Sequence, residues 1–220
     1  MSIQAVLFDL DGTLADTAPD LAYALNETLK ARGHQPLPFE AIRPVVSHGG
    51  IAMIRLGFDI GPGDADYDAV REQFLNIYLH NIARHTTLFA GMNELLAELE
   101  SRAIKWGVVT NKPGWLTDPL MAALGLTPRA AAIVSGDTCA KSKPHPEPMY
   151  HACNLVGVAA EHCVYVGDAE RDIAAGRAAN MRTLAATFGY LLPDDDPHSW
   201  QADALIDHPQ QVLDYLEKWT

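Results

Sequence analysis

Short apolar runs recur along the chain, and each stops abruptly at a polar or small residue. The first covers residues 3–8 and ends at Asp9. Its unbroken hydrophobicity and branched side chains predict a strand buried on both faces, as in a parallel sheet. Similar runs at residues 106–109, 132–134, 164–166 and 183–186, with a weaker one at 204–206, predict five more. Helical spacing fills the gaps. Leu95, Leu96 and Leu99 share one face after Gly91, and Leu120, Met121 and Leu124 share another before Gly125, a stop signal. Strands alternating with helices predict an α/β core, a Rossmann-like doubly wound parallel sheet.

One stretch breaks the alternation. Between Thr17 and Thr86 helical spacing continues, with Leu21, Leu25 and Leu29 closed by Gly33 and with Phe74, Ile77 and Tyr78 further on, but no strand pattern appears. This predicts an all-helical cap domain over residues 17–86, inserted into a core of residues 1–16 and 87–220. Residues 61–64 read as a surface loop, and residues 47–50 as a flexible loop within the cap.

Composition narrows the setting. With 220 residues, 48% of them hydrophobic, the chain can bury a core for one large domain or a domain with an insertion. A net charge of −12 argues against nucleic acid and anionic membranes as partners. Cys139, Cys153 and Cys163 are scattered, without zinc-like spacing, and read as reduced core thiols. Acidic residues come too early for a secretory leader, and no apolar run reaches the roughly 20 residues of a membrane span. The expectation is a cytoplasmic monomer or homodimer acting on a small molecule.

The chemistry gathers at strand ends. Asp9-Leu10-Asp11-Gly12-Thr13 follows the first run, where ligands bind in an open parallel sheet. Two carboxylates this close repel unless a cation or a shared proton relieves them. Gly12 permits a tight turn, and the Thr13 hydroxyl can donate to an anion. An acidic turn alone would explain that pentapeptide. Three further segments make coincidence a poor account: Thr110-Asn111 after the second long run, Lys143 in Ser142-Lys143-Pro144, and Gly167-Asp168 with Asp172 one helical turn later.

Together these segments resemble the four motifs of the haloacid dehalogenase superfamily, and the likeness spans almost the whole chain. The resemblance implies a helical cap between the first and second motifs, Mg²⁺ as cofactor and an aspartyl-phosphate intermediate. On it, Asp9 is the nucleophile and Asp11 the general acid and base. The metal falls to the Asp9 side chain, the Asp11 main-chain carbonyl and Asp168. Phosphate oxygens fall to Thr110, Asn111 and Lys143, with Asp172 orienting Lys143 or metal-bound water.

Asp11 separates branches of the superfamily. Dehalogenases lack an aspartate there, so its presence implies a phosphatase or a phosphomutase. The sugar phosphomutases carry a histidine where this chain has Leu21, which disfavours mutase. Phosphonate hydrolases need a cap lysine, and Lys30, the cap's sole lysine, lies within a well-patterned helix. A binding protein without turnover is expected to lack one of Asp9, Asp11, Lys143 and Asp168, and all four are present. Specificity is assigned to the cap segment carrying Ser47, His48 and Gly49, with Arg43 beside it. Many phosphoglycolate phosphatases have glycine at the Ser47 position. Ser47-x-Gly49, the segment Trp106 to Pro113 and the tail carrying Trp200 and His208 are similar to the neighbouring N-acetylmuramate 6-phosphate phosphatases of cell-wall recycling. N-acetylmuramic acid 6-phosphate and phosphoglycolate are therefore the expected substrates, with another sugar phosphate as the alternative.

Overall fold

The computed structural model describes residues 2–219. Strand β1 (Ala5–Phe8) and the short β2 (Ala15–Asp16) lead into helices α1 (Ala18–Ala31) and α2 (Phe39–Ile42), a 3₁₀ segment (Arg43–His48), α3 (Gly49–Phe58) and α4 (Tyr67–His80). The chain then alternates through β3 (Thr87–Leu88), α5 (Met92–Ser101), β4 (Lys105–Val109), α6 (Gly114–Ala123), β5 (Ala132–Val134) and α7 (Glu147–Val156). It closes with β6 (Cys163–Gly167), α8 (Glu170–Ala178), β7 (Arg182–Ala186), β8 (Ala204–Ile206) and α9 (Gln211–Lys218).

Every apolar run becomes a strand of one parallel sheet, ordered β5-β4-β1-β6-β7-β8. Alternation along the strands divides the core in two. Val6, Phe8, Val164 and Val166 face α5, α6 and α9 through Leu95, Leu96, Leu120 and Val212. Ala5, Leu7, Cys163 and Tyr165 face α7 and α8 through Met149, Ala152 and Ala175. Both faces are covered, which is why the runs carry no polar alternation. Gly107 in β4 has a packing reason: a Cβ there would lie 2.8 Å from the Ala132 carbonyl oxygen and 3.1 Å from Leu7.

Helices α1 to α4 gather around a cluster of their own, in which Leu25 and Leu29 meet Ile42, Met53, Phe74 and Tyr78. Two features differ from expectation. Strands β2 and β3 pair antiparallel, Ala15 with Leu88 and Asp16 with Thr87, where the chain leaves and rejoins the sheet. Two residues are too few to leave a periodic signal. Residues 47–50 are not a flexible loop: the 3₁₀ segment runs through His48, and α3 begins at Gly49 with φ 79°.

A buried carboxylate ties the two crossings together. Asp20, in the first turn of α1, accepts hydrogen bonds from the backbone N–H groups of His85 (2.9 Å) and Thr86 (2.8 Å) and from the Thr86 hydroxyl (2.8 Å). Asp20→Ala would leave these donors without their buried acceptor. The expected loss is about 2–4 kcal/mol of unfolding free energy, measured by urea denaturation. A loss below about 1 kcal/mol would mean that water replaces the carboxylate.

Candidate active site

β1 lies between β4 and β6, and the chain winds away from it in both directions. A crevice forms at the carboxyl ends of such strands. Asp9 projects there from β1, Thr110 to Lys112 from β4 and Asp168 from β6.

Asp9 is nearly inaccessible. Its Oδ1 accepts the Leu10 N–H at 2.8 Å and lies 2.9 Å from the Lys143 Nζ, while Arg171 approaches Oδ2 at 3.9 Å. Burial pushes its carboxyl up, but Lys143 and Arg171 outweigh burial and hold it below its ordinary value. Lys143 is fully enclosed. Its ammonium reaches Asp172 at 2.8 Å and donates to the Val109 carbonyl at 2.9 Å and the Tyr165 hydroxyl at 2.8 Å. The cation expected to bind phosphate is therefore seated behind Asp9 and lines no part of the cavity. Asn111 is also engaged, since its side chain exchanges two 3.0 Å hydrogen bonds with the backbone of Lys143. That leaves it one free amide hydrogen.

Asp168 has no lysine or arginine within ion-pair distance among the described residues. Its Oδ2 accepts the Ser47 hydroxyl at 2.6 Å and the Tyr190 N–H at 2.8 Å, and its Oδ1 the Thr13 hydroxyl at 3.3 Å. Burial, followed by the charges of Asp9 and Asp172, pushes its carboxyl up to about 7. Glycines make room for this crowding: a Cβ on Gly12, where φ is 84°, would lie 2.1 Å from Asp168 Oδ2, and one on Gly189 would lie 2.3 Å from Asp168 Cβ.

One carboxylate oxygen from each of Asp9, Asp168 and Asp172 lies within 4.8 Å of the others. Three clustered carboxylates face two cations, Lys143 and Arg171. Excess negative charge, hard oxygen donors and a glycine cradle fit a divalent metal. The Asp11 carboxylate is not in this cluster. It accepts the Thr17 hydroxyl at 2.6 Å and pairs with Lys112 at 2.9 Å.

Asp9 and Asp11 open onto a cavity of about 140 Å³, with Thr110, Lys112 and Arg171 on the strand side and Leu21, Gly49, Met53, Phe74 and Tyr78 on the helical side. Thr110 accepts the Lys112 N–H at 3.1 Å and keeps its own hydroxyl hydrogen free to donate. The residues chosen for specificity divide. Gly49 and Ser47 line the cavity, although the Ser47 hydroxyl is committed to Asp168. His48 faces a separate depression and lies 4.0 Å from Asp195. Arg43 stacks on the Tyr190 ring at 4.7 Å and donates to the Gly189 carbonyl. Neither residue reaches the cavity, because the 3₁₀ turn rotates them away from it.

Sequence reasoning missed Lys112, Arg171, Tyr78 and Tyr190. Lys112 directly follows Asn111, and Arg171 directly precedes Asp172, so adjacency to a motif was a usable signal for both. Tyr78 and Tyr190 left none, being core-like aromatics far away in sequence.

The comparisons with known proteins agree on a family. Residues 6–186 match the model of the haloacid dehalogenase-like hydrolases. The chain is 46% identical over 209 residues to a phosphoglycolate phosphatase of Xanthomonas campestris pv. campestris, covering 95% of this chain and 94% of the relative. It is 42% identical over 217 residues to an N-acetylmuramic acid 6-phosphate phosphatase of Pseudomonas putida, covering 99% and 97%. A crystal structure of a predicted phosphoglycolate phosphatase from Haemophilus somnus superposes with a TM-score of 0.87 at 25% identity, covering 98% of each chain. A haloacid dehalogenase-like family hydrolase from Streptococcus pneumoniae shares the fold with a TM-score of 0.81 at 23% identity, covering 97% and 98%.

The crowded carboxylates make stability depend on pH. The folded pKa of Asp168 is raised, so between about 4 and about 7 the metal-free folded protein holds a proton that the unfolded chain has lost. Its contribution therefore declines as pH rises through that window and is flat above it. Asp168→Asn should remove this component of the slope, measured by urea denaturation in chelator from pH 4.5 to 8. Added Mg²⁺ should raise the melting temperature more at pH 8 than at pH 5, because protonation competes with the metal for the carboxylate.

Proposed function

The chain belongs to the haloacid dehalogenase-like hydrolases, and within that family we propose that it is a Mg²⁺-dependent phosphatase that cleaves a small phosphomonoester through a phosphoryl intermediate on Asp9. The observation that carries this reading is the state of Asp9. A buried carboxylate is held ionised by Lys143 and Arg171, at a cavity that also holds a second carboxylate, Asp11.

An ionised Asp9 oxygen attacks phosphorus while the ester P–O bond breaks. Asp11, having first taken up a proton from solvent, gives it to the departing oxygen. In the second half, Asp11 takes a proton from water, water oxygen bonds to phosphorus, and the Asp9–phosphorus bond breaks to release phosphate. Lys112 and Thr17 hold Asp11 in place throughout. The Thr110 hydroxyl and the remaining Asn111 amide hydrogen are positioned to bind phosphoryl oxygens. Asp9 and Asp168 would hold Mg²⁺ with Asp172 beside them, and the bound ion supplies the positive charge that lets an anionic phosphate approach a carboxylate.

Phosphoglycolate and N-acetylmuramic acid 6-phosphate, named for the relatives, are the two substrate candidates. Both are phosphomonoesters of an acid. Leu21 on the cavity wall supports hydrolysis over mutase chemistry, since it offers no proton-transfer group there. The three free cysteines support a reducing, cytoplasmic setting. Among the described residues no helix is long and apolar enough to cross a membrane.

Asp9→Asn should lower kcat on an aryl phosphate by roughly a thousandfold or more while leaving the circular dichroism spectrum unchanged, because an amide is a poor nucleophile. Activity within about tenfold of wild type, a barrier change of only ~1.4 kcal/mol, would refute the mechanism. Chelation should abolish turnover, Mg²⁺ should restore it, and Ca²⁺ should fail to, since it favours more ligands and longer bonds. Full activity in excess chelator would refute the metal assignment.

A further inference from the structure

Two polar groups in the cavity remain incompletely satisfied. Lys112 has three donor hydrogens, and Asp11 is the one hydrogen-bond acceptor of its ammonium among the described residues, at 2.9 and 3.2 Å. The Tyr78 hydroxyl, fully buried at the end of α4, has no well-formed hydrogen bond among them, and its polar neighbour is the Lys112 ammonium. The two residues meet: the Lys112 ammonium lies 4.6 Å from the centre of the Tyr78 ring. Both line the cavity into which Asp9 and Asp11 open. Buried donors left open in this way carry a cost unless a ligand completes them.

Lys112 is also set rigidly. Its N–H donates to Thr110 at 3.1 Å, and its carbonyl accepts from the Gly136 N–H at 2.8 Å and the Thr117 hydroxyl at 3.1 Å. Gly136 lies so close that a Cβ there would be 2.2 Å from the Asn111 carbonyl oxygen. Such pinning suits a residue that must present a charge at a fixed point.

We propose that Lys112 and Tyr78 form a subsite for a carboxylate on the leaving group, so that the substrate is a short phosphorylated hydroxy acid of the phosphoglycolate kind. This rests on the phosphatase reading and adds the substrate class to it. The placement follows from Asp11. The leaving oxygen must contact Asp11, and Lys112 is the direct partner of Asp11, so the cation stands beside the atom that departs. A carboxylate one carbon removed from that oxygen meets the ammonium and the tyrosine hydroxyl together. Leu21, Met53 and Phe74 on the helical wall offer no partner for sugar hydroxyls. Low polarity around the pair strengthens its hold on an anion.

The test compares kcat/KM in Mg²⁺ for 2-phosphoglycolate and for 2-hydroxyethyl phosphate, which replaces the carboxylate with an alcohol carbon. An aryl phosphate and N-acetylmuramic acid 6-phosphate are run alongside. Wild type should prefer phosphoglycolate by roughly a hundredfold, and Tyr78→Phe should lower that preference by roughly tenfold, mainly through KM, as expected for a hydrogen bond to a charged group. Lys112→Gln should bring the two substrates to within a few fold, and it carries the test should Tyr78→Phe fail to fold. Glycolate should inhibit competitively where ethylene glycol does not. Hydrolysis of the aryl phosphate with no carboxylate preference would overturn the subsite and leave the phosphatase reading standing. The subsite also fails if both variants keep the wild-type preference, or if N-acetylmuramic acid 6-phosphate is the better substrate. No hydrolysis of any phosphomonoester would overturn both.

Discussion

The site depends on one buried ammonium. Lys143 Nζ sits beneath the ends of β1, β4 and β6 and touches a group from each: Asp9 after β1, the Val109 carbonyl at the end of β4, and Tyr165 within β6. It reaches Asp172 of α8 as well. Without that charge, Arg171 alone would face three buried carboxylates. With it, Asp9 remains ionised at a place where burial alone would protonate it. The loop that delivers the lysine is fixed in turn by Asn111, so β4 both lines the cavity and sets the cation behind it.

Polar groups of the site itself help to bind the helical side to the sheet side. Ser47 donates to Asp168, Tyr78 lies against Lys112, and Arg43 stacks on Tyr190. Tyr190 also donates to Asp16 at 2.6 Å and accepts the Ala18 N–H at 2.9 Å, where the chain enters α1. These polar links run beside apolar packing, in which Leu116 and Tyr190 of the sheet side join the cluster of the helices.

The parts of the molecule legible in sequence are those set by local spacing. Unbroken apolar runs gave the six long strands because both sheet faces are covered. The aspartates stood out because a strand ended immediately before them. What stayed hidden depended on direction and distance. His48 and Ser47 are neighbours, yet the 3₁₀ turn sends one to Asp195 and the other to Asp168, 121 residues away in sequence. The charge of Lys143 was visible in the sequence, and its enclosure behind Asp9 was not. Tyr78 carried the spacing of a core residue and is one, apart from its hydroxyl.

The hydrogen bond between Ser47 and Asp168 has a thermodynamic corollary. The same carboxylate receives a hydroxyl from the helical side and belongs to the acidic cluster suited to a metal. Any agent that alters its charge therefore alters the affinity of the helical side for the sheet side, and the converse holds to the same extent, because free energies around a closed cycle must sum to zero. Ion occupancy and the seating of the helices are two readings of a single coupled equilibrium.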